Sequence, residues 1–159
     1  MTDDGASPRP TQEAIRVGGL VDRTSLTLGI HGDDLDPAEI SVLFGCPPSH
    51  SHRRGDLRPR GRSQWRSGAW LLSVDAISPT SPSDLLETLL AKVPAAPSFW
   101  KRLRERFAVH LGFGLFLDAD NRGFDLPAAT LTRLATLGFD LYFDIYGAGR
   151  EAQDGSAAG

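Results

Sequence analysis

FAVHLGFGLFLDADNRGFDLPAATLTRLATLGFDLYFDIYG, residues 107–147, decides the fold. Val109, Leu111, Phe113, Leu115 and Leu117 recur at every second position, so a strand carries them on one face. The other face of that strand carries Ala108, His110, Gly112, Gly114 and Phe116. Asp118 to Gly123 reads as a turn. Leu131, Leu134 and Ala135 then follow helical spacing, and Gly138 supplies a left-handed stop. Phe139, Leu141, Phe143 and Ile145 alternate again as a last strand, with Asp140, Tyr142, Asp144 and Tyr146 opposite.

Upstream, Ser25 to His31 reads as a strand with Leu26, Leu28 and Ile30 on one side. Asp36-Pro37-Ala38-Glu39 is a helix start: an acidic cap, proline at the first helical position, and Glu39 placed to return a bond to the cap. Ile40, Leu43 and Phe44 give the apolar stripe and Gly45 the stop. Residues 46–66, rich in Pro, Ser, His, Arg and Gly, read as a long loop or irregular hairpin. Trp70 to Ala76 is a strand with Trp70, Leu72 and Val74 on one side. Ser81-Pro82-Ser83-Asp84 repeats the cap, Leu85, Leu86, Leu89, Leu90 and Val93 form a stripe, and Pro94 and Pro97 end it. Ser98 to Arg106 adds a helical turn or two.

The element order is β-α-(β)-β-α-β-α-β, an α+β fold with a mixed β-sheet and helices mainly on one face. Leu26–Gly45 and Leu115–Gly138 share a strand, an Asp-bearing turn, a Pro-Ala helix start, a helix and a Gly. If that likeness reflects a duplication, the domain contains two β-α-β-type halves.

Composition sets the bounds. The chain has 159 residues, 40% hydrophobic and 23% charged, which suits one globular domain able to bury its own core. Residues 22–147 are expected to fold, and 1–21 and 148–159 to be disordered tails. A net charge of −3 gives no bulk attraction to nucleic acid or membrane. One cysteine, Cys46, cannot form an internal disulfide. Met1 to Pro10 has no basic and apolar signal pattern, and no apolar run approaches a membrane span. A cytoplasmic location is expected.

The run LGIHGDDLDPAEISVLFGCPPSHSHRRGD, then Trp70 before an apolar strand, then SPSDLLETLL, then LATLGFDLYFDIYG, resembles the bacterial domain-of-unknown-function family numbered 4279. The resemblance spans about 25–147 and implies a fold and a bacterial origin, with no reaction attached. The arginine-rich segment between Gly55 and Trp70 is a feature of this chain.

Candidate sites follow from residue chemistry. Cys46, His50 and His52 have a spacing that could hold a metal, with His31 or His110 as a further ligand only if the sheet brings them close. There is no CxxC or HExxH pattern, and no metal or other cofactor is expected. Covalent catalysis lacks support too, since no GxSxG elbow is present and Cys46 has no nucleophile context. His110 beside Gly112 and Gly114 leaves a bare strip that admits either a closely packed helix or a ligand. Asp140 and Asp144 lie about 13 Å apart by strand rise, too far to share a proton or a metal.

Arg53, Arg54, Arg58, Arg60, Arg62 and Arg66, with Trp65 and Trp70 flanking, suit carboxylate or phosphate recognition. The leading expectation is a non-catalytic binding module, immunity-protein-like by analogy, that meets an acidic partner or anionic ligand through Arg54, Arg58, Arg60, Arg62, Trp65, Trp70 and His110. The strand phase of Trp70 points it toward the core, which leaves Trp65 as the first choice of anchor. A rival reading is a small-molecule-binding protein or enzyme with a pocket around His110 and His31. A third is a nucleic-acid binder, which the acidic balance disfavours.

Overall fold

Three ten-residue strands with strict alternation build the centre of the molecule. A computed structural model describes residues 18–147 apart from positions 60, 62, 78, 79 and 120. In chain order the elements are β1 (Gly19–Leu20), β2 (Arg23–Gly32), α1 (Pro37–Phe44), β3 (His50–His52), β4 (Gly68–Ile77), α2 (Pro82–Leu90), α3 (Pro97–Arg106), β5 (Ala108–Leu117), β6 (Arg122–Gly123), α4 (Ala128–Leu137) and β7 (Leu141–Gly147). The main sheet runs β3-β4-β2-β5-β7. β2 is central and antiparallel to both neighbours, with Leu28 opposite Leu72 on one side and Leu111 on the other. β7 returns parallel to β5 after α4.

The β-α-β unit is therefore realised once, by β5, α4 and β7. The similar stretch Leu26–Gly45 has the same strand-helix order, but the chain then enters β3 and β4. β4 lies antiparallel to β2, so no second parallel unit forms.

The helix starts follow their cap chemistry. The Ala38 N–H donates to the Asp36 carboxylate at 3.0 Å, and the Asp84 N–H donates to Ser81 Oγ at 3.1 Å. Gly45 and Gly138 end their helices at φ 69° and 75°, the left-handed region that glycine enters freely. Glu39 does not return to its cap; its carboxylate accepts from Arg106 on α3 instead.

One face of the sheet supplies the core. Leu26, Leu28, Ile30, Trp70, Leu72, Leu111, Phe113 and Leu115 are buried there against Ile40, Phe44, Leu85, Leu86, Leu89, Leu90, Trp100, Leu103, Leu134 and Leu137 from the four helices. Full burial of one such side chain is worth about 1.5–3 kcal/mol. Trp100 is enclosed completely and its indole N–H donates to the Pro94 carbonyl at 2.7 Å.

The apolar stripe of β7 is only partly covered. Leu141 is half-buried, while Phe143 and Ile145 are 36% and 64% exposed. β7 is an edge strand, and the helical layer stops short of its far end. Residues 18–21, assigned to the tail by composition, include β1, which pairs in parallel with β6 as a separate two-stranded sheet, and bring Val21 into the core. Asp22 fastens this segment by accepting from Arg122 Nε at 2.9 Å and Nη2 at 3.1 Å, and from the Asp118 N–H. The expected tails at 1–17 and 148–159 lie outside the described residues.

Candidate functional site

Strand alternation dictates what the second face of the sheet displays. β2 places Arg23, Ser25, Thr27, Gly29 and His31 there. β4 adds Ala69, Leu71, Ser73 and Asp75, and β5 adds His110, Gly112, Gly114 and Phe116. β7 adds Tyr142, Asp144 and Tyr146, and β3 adds His50 and His52. The helical residues of the core pack on the other face. All four histidines of the chain thus occupy the helix-free face.

Their grouping is a consequence of register. His110 pairs with Gly29, His50 with Leu71 opposite Gly29, and His52 and His31 both pair with Ala69. The His31 and His110 rings stack with centroids 5.0 Å apart, and the His50 and His52 rings lie 5.6 Å apart. Gly29 makes this possible. A Cβ there would fall 2.6 Å from His110 Nε2 and 3.0 Å from His31 Nε2. Burial, then the nearby His110 and His52 imidazoles, hold His31 below the usual histidine range. His52 is lowered chiefly by burial, then by His50. Both rings therefore favour the neutral form at neutral pH.

Positive charge reaches this end of the face from the arginine segment, whose described residues form a hairpin arm. The Gly55 N–H donates to the Trp65 carbonyl, the Trp65 N–H to Asp56 and the Arg58 N–H to Ser63, a hairpin ladder closed by a Leu57–Gln64 bridge. Trp65 stacks on His52 at 3.8 Å, and the Arg58 guanidinium sits over the Trp65 ring at 4.4 Å. The stack Arg58–Trp65–His52 thereby ties the arm to the sheet. Arg53 and Arg54 are engaged by Asp36 and Asp33, at 2.7 and 2.9 Å. A cleft of about 340 Å³ lies between α1 and the arm, lined by Pro37, Ser41, His52, Arg53 and Asp56.

At the opposite end the glycine strip is open at Gly112, whereas at Gly114 a Cβ would fall 2.5 Å from Ser25 Oγ. Among the described residues no helix packs on this strip, and a Cβ on Gly112 would touch only the Tyr142 ring at 3.8 Å. A groove of about 260 Å³ runs above it between Ser25 and Thr27 on one side and Tyr142, Asp144 and Tyr146 on the other. Thr27 and Ser73 share a hydroxyl hydrogen bond at 2.8 Å across β2 and β4. The Tyr142 hydroxyl donates to Asp144 at 2.8 Å, which raises the tyrosine above its usual range.

The expected site residues fare differently. Arg58 and Trp65 meet at the arm, His110 joins His31 on the open face, and Arg54 is exposed but ion-paired. Arg60 and Arg62 lie outside the described residues. Trp70 is corrected: it is fully enclosed, its ring against Phe44 at 4.8 Å and its N–H donating to Ser41 Oγ at 3.0 Å, so it cannot anchor a partner. Cys46 does not join His50 and His52; its thiol lies 3.9 Å from the Lys92 carbonyl. Among the described residues no group of three or more His, Cys, Asp or Glu is arranged to hold a metal ion. The His31–His110 pair and the His52–Trp65 stack escape sequence reasoning, because they depend on register across strands far apart in the chain.

A family model described as "Domain of unknown function (DUF4279)" matches residues 22–148. No curated protein and no solved structure matches the chain. Among the described residues no helix is long and apolar enough to cross a membrane.

Proposed function

The chain belongs to the DUF4279 family, and we propose that it is a non-catalytic interaction module of a bacterial cytoplasm whose helix-free sheet face receives an acidic protein segment or other anionic ligand. The observation that carries this is the joining of the arginine arm to the histidine end of that face through the Arg58–Trp65–His52 stack. A one-sided sheet leaves an accessible platform, and a cationic arm at its border attracts anions and then binds them by paired N–H donors. Arg and Trp are the side chains that dominate interface energies. Arg53 and Arg54 are already neutralised by Asp36 and Asp33, so Arg58 is the described arginine of the arm that sits beside an aromatic anchor.

Trp65 reports on the test. It is half-exposed, whereas Trp70 and Trp100 are enclosed. A glutamate-rich synthetic peptide is titrated while tryptophan fluorescence is followed at two salt concentrations. Saturable change that weakens with salt and is reduced in Arg58→Ser supports the reading. Absence of any saturable change at low salt, or an unaffected Arg58→Ser variant, refutes it.

A second reading draws on the open space above Gly112: an uncharged small ligand lying in the groove between the hydroxyls of Ser25 and Thr27 and the rings of Tyr142 and Tyr146. Gly112→Val fills that groove and would abolish such binding while leaving peptide binding at the arm intact.

A further inference from the structure

We propose that β7 is a pairing edge for a second copy of this chain, and that two copies join antiparallel about a two-fold axis at Phe143, merging their five-stranded sheets into one. β7 closes one side of the sheet, and among the described residues nothing pairs with its outer edge. The Leu111 N–H donates to the Asp140 carbonyl, and Leu111 stands opposite Leu141 in the parallel ladder. Alternate residues of a strand bond the same neighbour, so Tyr142, Asp144 and Tyr146 turn their peptide groups toward β5. Leu141, Phe143 and Ile145 turn theirs outward. Edges are ordinarily blunted by lysine, proline, a bulge or shortness. Leu141–Gly147 has none of these: over seven residues its one charge is Asp144, and its ladder to β5 is unbroken. Phe143 and Ile145 are exposed on the helix side of the sheet.

The side chains point to a second copy as the occupant. Outward peptide groups must meet outward peptide groups, which centres an antiparallel self-pair on a residue of β7. Centring on Asp144 sets two carboxylates face to face, and centring on Tyr142 sets Asp144 against the partner's Asp140. Like charges directly opposite are destabilising. Centring on Leu141 or Ile145 parts the carboxylates, but carries Phe143 or Leu141, respectively, past the end of the partner's strand. Centring on Phe143 sets Tyr142 opposite the partner's Asp144, twice by symmetry. On the other face Phe143 meets the partner's Phe143, and Leu141 meets the partner's Ile145. These outward pairs each exchange two peptide hydrogen bonds. The strand is thus complementary to itself, as an isologous two-fold contact requires. Tyr142 and Asp144 line the groove above Gly112, so the grooves of the two copies meet at the axis. The contact is short, so association depends on concentration and the dilute chain is monomeric. Self-association needs no anionic ligand and is tested independently of the proposed function.

The tag-free full chain is followed by sedimentation equilibrium from dilute to millimolar protein. The expected mass rises from the 17.2 kDa of one chain toward twice that value and stops there. Ile145→Pro removes an outward N–H that β5 does not use, a position where an edge strand accepts proline. It should weaken association about tenfold or more, since two-fold symmetry removes two donors at once. Ile145→Lys places a charge on an exposed side chain of the edge and should do the same. Circular dichroism checks that both variants fold. Val42→Ser, at an exposed apolar residue of α1, should leave the dimer intact, and Asp144→Asn should not strengthen it. The proposal is overturned if the parent keeps the mass of one chain up to millimolar protein or climbs past two, or if the Ile145 variants associate as the parent does. It is equally overturned if Val42→Ser abolishes association, or if Asp144→Asn strengthens it, which would set the carboxylates face to face.

Discussion

Leu111 and Gly112 are adjacent on β5 and face opposite sides of the sheet, so paired substitutions test whether the second side is truly bare. Leu111 is fully buried. Leu111→Ala removes three carbons, about 2.4 kcal/mol at roughly 0.8 kcal/mol each, and leaves a cavity that adds to the loss. The expected total is about 2.5–4 kcal/mol. At roughly 2–4 °C per kcal/mol this lowers the thermal midpoint by about 5–15 °C. Gly112→Val adds a branched side chain to a strand, where such residues are favoured, and its Cβ meets only Tyr142 at 3.8 Å. Stability should stay level or rise by up to about 1 kcal/mol. Urea unfolding of both variants beside the parent gives the free energies directly. A Gly112→Val loss comparable to that of Leu111→Ala would mean that something packs over the glycine strip, and the open-face argument would fail.

Three further outcomes follow from the same geometry. Phe143→Ala should cost about 1–2 kcal/mol, less than a full core deletion, because the ring is 36% exposed and rests on Phe113; urea unfolding checks it, and a loss above about 3 kcal/mol would show that β7 is covered. The Arg122 guanidinium, then the Asp118 N–H, hold Asp22 below its ordinary value of 3.8, so its contribution to stability is complete above that value and disappears as pH falls through the lowered one. Asp22→Asn should therefore lose stability at neutral pH and differ less from the parent in strong acid, as read from urea midpoints across pH; a constant difference at every pH would contradict the ion-pair assignment. Trp65→Ala should loosen the arm without unfolding the domain, seen as faster amide exchange at Gly55 and Arg58 with an unchanged global transition.

The fold was largely legible because its elements announce themselves locally. Asp36-Pro37 and Ser81-Pro82 set the helix starts, Gly45 and Gly138 the stops, and period-two alternation phased the three long strands. Strand order was not local information. β7 at an edge, exposing Phe143 and Ile145, carries the same alternation as a covered strand. The arginine segment was recognisable by composition, but its hairpin order rests on backbone bonds and on a ring contact with His52. The alternation that buries Trp70 was also readable, and it removes that indole from any binding surface. His31 and His110 are separated by about half of the chain, and only the β2–β5 register brings them together beside Gly29.

The central claim is that recognition occurs on the helix-free face at its histidine and arginine end. Backbone amide shifts of the labelled chain, followed by nuclear magnetic resonance during titration with a glutamate-rich peptide, test it most directly. The account predicts shifts concentrated at His31, at His50 to His52, along the arm from Arg53 to Arg66 and at His110, fading as salt is raised. Shifts concentrated instead on the outer surfaces of α2 and α4, or spread without saturation over the whole chain, would contradict it.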